Sequence, residues 1–188
     1  DYIPLIFSLI AVAISLASTV FDRIKHRRSN RKELTDTLEK LLNLDLTFAN
    51  SAFNWQENTN PEEAKKKQEI DIVLNHQRTY LVNHAEYLSN LLKDNAISND
   101  YRIIAFAYSK IGDLDKAKGN FEKALSRPAS MNAKQMTMRA FGRLLYRMGE
   151  FQNGIQIFNK AVEISTPHER YKRDTYLSLV QWAAVRRG

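Results

Sequence analysis

The chain has 188 residues, a formal net charge of +7 and no cysteine. That length fits one domain with an appendage, and the lack of cysteine excludes a disulfide framework, a thiolate nucleophile and a cysteine-based zinc site. Hydrophobic residues make up 44%, while only 6 Gly and 4 Pro interrupt the chain, so long helices are favoured over a turn-rich β fold.

The first predicted element is a single N-terminal transmembrane helix over residues 1–22. Residues 2–21 contain no charge, and about 20 apolar residues in a helix span the ~30 Å hydrocarbon core. Pro4 falls in the first turn, where its missing N–H costs little. A cleaved signal peptide fits less well, because no Lys or Arg precedes the segment. A buried core helix also fits less well, since a charge block follows at once. Ser8, Ala11, Ser15 and Ser18 form a stripe of small residues, a pattern that lets spanning helices approach and self-associate.

Residues 23–31 form a basic juxtamembrane segment. Arg23, Lys25, Arg27, Arg28 and Arg31, with Lys32 just beyond, are expected to touch lipid headgroups and fix topology. They place the N-terminus outside and the rest of the chain on the cytoplasmic side of a membrane. Nucleic-acid binding is not expected, because no groove-reading or aromatic element accompanies the charge.

Residues 32–93 read as a helical hairpin. Leu34, Leu38, Leu41, Leu42, Phe48, Ala49, Ala52 and Phe53 follow the i, i+3, i+4 rhythm of a buried helical face. After the polar stretch 56–60, Asn60 suits an N-cap, Pro61 a first helical position and Glu63 a capping box. The expected inner face of this second helix is Ile70, Val73, Leu74, Tyr80, Leu81, Tyr87, Leu88, Leu91 and Leu92. His76 and His84 on it stand more than two turns apart, too far to share a metal.

Residues 98–188 carry the most specific pattern. Tyr101, Ile104, Ala105, Tyr108, Gly112, Ala117, Phe121 and Ala124, with Pro128, follow one another at helix–turn–helix spacing. Small Ala105 and Ala117 let two helices touch, Tyr108 and Phe121 fill the space around them, and Gly112 suits a left-handed helix end with Asp113 capping the next helix. Met138, Phe141, Gly142, Leu145, Gly149, Phe158 and Ala161 give a second copy, with Gly154 where alanine is usual. A further helix is expected over 169–187. The segment resembles the tetratricopeptide repeat family, whose units are about 34 residues long. The fold class expected from all of this is all-α: one transmembrane helix, a hairpin, and an α-solenoid of right-handed superhelical form.

The resemblance implies a concave groove lined by the first helix of each repeat. Carried over, its positions are Asn99, Arg102, Phe106, Ser109 and Lys110, then Met136, Arg139, Arg143, Tyr146 and Arg147. These offer five cations, no acid and several apolar anchors, which suits an acidic or amphipathic protein segment. The peptide-C-terminus clamp of some family members is in doubt, because Phe106 stands at one of its Asn positions. No phosphate loop, G-x-S-x-G or HExxH occurs, so neither an enzyme nor a cofactor is expected. The leading expectation is a membrane-anchored scaffold that recruits a protein partner. An oligomeric membrane effector or channel-like subunit sensing an anionic ligand is the alternative. An accessory subunit of a larger membrane complex is a third.

Overall fold

The computed structural model describes residues 3–53 and 61–164, with side chains over 15–49, at 62 and over 64–164. Six α-helices and no strand occur among the described residues: α1 Ile3–Phe53, α2 Pro61–Leu92, α3 Ser98–Ile111, α4 Leu114–Ser126, α5 Met131–Arg147 and α6 Phe151–Glu163. A 3-10 turn, Lys93–Asn95, follows α2. The helix expected over 169–187, the polar stretch 56–60 and the side chains of Ala52, Phe53, Asn60 and Glu63 lie outside the described residues.

The expected transmembrane helix is corrected. Among the described residues no helix is long and apolar enough to cross a membrane. Residues 2–21 do not form an element of their own. From Ile3 onward they are the start of the 51-residue α1, which runs unbroken through the basic segment into the hairpin. The side chains of Ser8 and Ala11 lie outside the described residues, while Ser15 and Ser18 are exposed.

The helices pair as successive antiparallel hairpins, α1–α2, α3–α4 and α5–α6. Between hairpins, α2 packs on α3 as α4 packs on α5, and the first helices α1, α3 and α5 also touch in order. The hairpin α1–α2 therefore stacks as a further unit of the same solenoid. This resolves how so few repeats stay folded, because at least three stacked units are usually needed to bury a continuous core. One hydrophobic cluster runs from Leu34, Leu38 and Leu41 through Val82, Ala85 and Leu88 to Tyr108, Phe121 and Leu144.

Local chemistry sets each turn. Gly112 ends α3 at φ +88° and Gly149 follows α5 at φ +78°, left-handed geometry that a Cβ disfavours. Asp113 caps α4 by accepting from the Lys116 amide at 3.2 Å, and Ser130 caps α5 through the Ala133 amide. Gly154 sits where the Tyr146 ring presses closest. A Cβ built there would meet that ring at 2.5 Å and the Gly142 carbonyl at 3.2 Å. Glycine replaces alanine here because an aromatic ring occupies the space a methyl group would need.

The hairpin docks on the repeats through a polar node. Glu86 of α2 accepts from the buried Tyr108 hydroxyl at 2.7 Å and from Asn120 Nδ2 at 3.0 Å. Burial and the Glu86 carboxylate push the Tyr108 phenol well above its ordinary range. Arg31 pairs with the buried Asp100, whose Oδ2 also accepts from the Ile97 amide at 2.9 Å. These bonds fix α1 and α2 against the α3–α4 hairpin.

Candidate binding groove

The first helices of the three units form the candidate site. Between α1 and α3 lies a cleft of about 260 Å³ lined by Leu41, Leu42, Asp45, Asn99, Arg102, Ile103, Phe106, Ala107 and Lys110. Four of the expected groove residues, Asn99, Arg102, Phe106 and Lys110, thus come together on one wall. The periodicity that puts them there is helical: Asn99, Arg102, Phe106 and Lys110 recur at three or four residues along α3, opposite its buried Ile104 and Tyr108.

Arg102 is half-buried and held in place. Its Nη2 donates to Asn99 Oδ1 at 2.6 Å, its guanidinium lies 6.0 Å from the Phe106 ring centre, and its Nε is buried without a partner. Desolvation by burial lowers its pKa from the usual arginine value. Phe106 packs edge-on against Phe121, with ring centres 5.5 Å apart, and forms an apolar floor beside it.

The other wall supplies an acid that sequence reasoning missed. Asp45 of α1 accepts from Lys110 Nζ at 2.6 Å and from Arg78 at 3.1 Å. Buried Arg78 also donates to Asn75 at 2.6 Å and lies over the Phe48 ring. Lys110 is therefore held at the end of the cleft by a carboxylate that it shares with Arg78. Asp45 gave no signal in the sequence, because nothing in the repeat spacing marks α1 as the first helix of a unit.

The α5 residues separate. Arg147 reaches back to α3, donating to Ser109 Oγ at 2.8 Å and to the Ser109 carbonyl. Met136 and Arg143 are exposed and Arg139 is half-buried, and none of these three lines the cleft. Tyr146 does not line the cleft. Its ring is spent inside the α5–α6 hairpin, against Phe151 and Phe158 and over Gly154.

The basic segment of α1 also divides. Arg23, Lys25, Arg27, Arg28 and Lys32 are exposed, whereas Arg31 is tied to Asp100 and serves the docking of α1. Charge alone could not show this, because an arginine in a basic run looks the same whether solvated or paired.

The helical hairpins that build this groove have the spacing of a known repeat. The sequence pattern of the tetratricopeptide repeat matches residues 103–130 and 140–168. The matched segments run from within α3 through α4 and from the middle of α5 through α6, and leave the hairpin α1–α2 outside. Neither the curated proteins nor the solved structures give a match. Repeats of this type are typically non-catalytic interaction modules, and they suggest a protein-protein interaction scaffold.

Proposed function

We propose that the chain is an interaction scaffold whose cleft between α1 and α3 takes an acidic, amphipathic segment of a partner protein. An apolar side chain of that segment enters between Leu42, Ile103 and Phe106. Its neighbouring carboxylate meets Arg102. The observation that carries this reading is the pairing of an apolar floor with a desolvated arginine. An arginine partly desolvated and oriented by Asn99 loses less on meeting a carboxylate, and a forked bond to it is charge-assisted. Exposed Arg143 adds long-range attraction from α5, which steers an acidic segment toward the groove. Lys110 contributes less, because Asp45 already holds it.

Fluorescence anisotropy with labelled peptides tests this. Peptides that alternate Glu or Asp with Leu or Phe should bind, basic and uncharged peptides should not, and salt should weaken the complex. Arg102→Gln and Leu42→Asp should each weaken binding about tenfold or more, in line with loss of a buried anchor. Binding that ignores peptide charge, or that survives both substitutions, would remove the cleft from the account.

A further inference from the structure

Among the described residues, a second face of α2 is left open. Ile70, Val73, Gln77, Tyr80, His84, Tyr87 and Leu91 recur at alternating steps of three and four, and none carries a carboxylate, ammonium or guanidinium group. The neighbouring stripe, Leu74, Val82, Ala85, Leu88 and Leu92, is the one that faces the core. On the outer stripe Tyr80 is 72% and Tyr87 59% exposed, with Ile70, Val73 and Leu91 about half exposed. A sustained 3-4 spacing is the signature of a helix that packs against another helix by knobs into holes. Two hollows lie on this side of α2, one of 370 Å³ beside Ile70 and Val73 and one of 410 Å³ beside Gln77 and Tyr80. His84 stacks between Tyr80 and Tyr87, at 6.3 and 6.5 Å, and its Nε2 lies 2.9 Å from Glu33 Oε1 on α1.

We infer that this stripe is the contact of a homodimer, in which α2 of one copy packs antiparallel on α2 of a second copy. Charge decides the occupant and the direction. A chain of net charge +7 repels its own copies over most of its surface, but the stripe opposes no like charges. Glu69 lies at the N-terminal end of the stripe and Lys93 just past its C-terminal end, both exposed. Antiparallel pairing sets Glu69 of each copy opposite Lys93 of the other, whereas parallel pairing sets Glu69 against Glu69. Size decides the strength. With tyrosines of ~150–250 Å² each, the stripe offers on the order of 600 Å² per copy, so a pair buries about 1,200 Å². That is the lower edge of specific interfaces and gives a weak dimer that forms as concentration rises.

Sedimentation of the full chain over a concentration series tests the contact. The wild type should pass from monomer to dimer, and Tyr80→Glu with Tyr87→Glu should raise the dissociation constant at least about 30-fold, as loss of two central aromatics does. Both side chains are exposed, so helical content by circular dichroism should be unchanged. Because the chain has no cysteine, Val73→Cys and Leu91→Cys are clean probes of direction. Mixed single variants should form a disulfide-linked heterodimer, and Val73→Cys alone should not link to itself. A chain that stays monomeric, or self-association that the double variant leaves intact, overturns the inference. Self-linking of Val73→Cys overturns the antiparallel arrangement.

Discussion

α2 and α4 occupy equivalent places in the solenoid. Each is the second helix of its hairpin, and each packs on the first helix of the next. Their outer faces differ. α4 turns Asp115, Lys116, Glu122 and Lys123 to solvent and exposes no large hydrophobic side chain. α2 exposes Ile70, Val73, Tyr80, Tyr87 and Leu91 in one row. The same packing role is thus compatible with opposite surface chemistry. The inner face is dictated by stacking, and the outer face is left to be chosen by what the helix must meet. A charged outer face suits water, and a regular apolar one suits another helix.

The sharpest way to break this comparison is to exchange a core ring for a stripe ring. Phe121→Ala should cost about 3–5 kcal/mol in chemical denaturation, because its ring fills the space between Phe106 and Phe141. Tyr80→Ala, on the outer row, should change monomer stability by no more than about 0.5 kcal/mol. If Tyr80→Ala proves as costly as Phe121→Ala, the row on α2 is a core face, and the distinction between the two helices fails.

The junction between the hairpin and the matched repeats comes next. Glu86→Ala removes the carboxylate shared by the Tyr108 hydroxyl and Asn120 Nδ2, leaving them Asn83 Oδ1 and the Lys116 carbonyl, and should cost about 1–2 kcal/mol by the same measurement. Two glycines give a smaller and opposed pair. Gly154→Ala forces a methyl group onto the Tyr146 ring and should lose about 1–3 kcal/mol. Gly119→Ala in mid-α4 meets nothing within 4 Å and should gain up to ~1 kcal/mol through helix propensity.

The smallest expected effect is at Lys118 and Glu150, 2.7 Å apart at the surface between α4 and the α5–α6 turn. The lysine hydrogen bond holds the Glu150 carboxyl below its ordinary value, and Glu150 raises the Lys118 ammonium. A lowered carboxyl stabilises the fold above its unfolded pKa and loses that contribution as pH falls through the folded value. The raised lysine acts oppositely, contributing fully below its unfolded pKa and losing its share as pH rises through the folded one. Lys118→Ala should therefore flatten the acid limb of a melting-temperature profile only slightly, and added salt should remove the difference.

The two halves were not equally legible. Residues 98–164 announce their fold because the hairpin needs small residues at Ala105 and Ala117, rings at Tyr108 and Phe121 and a left-handed Gly112, and these requirements leave a spaced pattern. The hairpin α1–α2 has no such turn glycine, and its role as a stacking unit depends on which helix it meets. The buried face of α2 was misread for a definite reason. Apolar residues at 70, 73, 80, 87 and 91 satisfy a helical stripe as well as those at 74, 81, 88 and 92 do, so periodicity alone assigned both to the core. Leu42 and Ala49 are exposed instead of buried for a similar reason, while Leu44 packs inward. In the groove, the α3 positions were recoverable from the repeat spacing. Asp45 and the inward turn of Tyr146 were not, because each depends on a contact with a neighbouring helix.

That the hairpin and the repeats form one continuous solenoid is tested most directly by native-state hydrogen exchange of the full chain. Amides in 82–88 of α2 and in 104–108 and 117–121 of α3 and α4 should open with the same free energy, since one hydrophobic cluster and the Glu86 node join them. Opening of α2 at a free energy well below that of α3 and α4 would show the hairpin to be a separate appendage and would contradict the account.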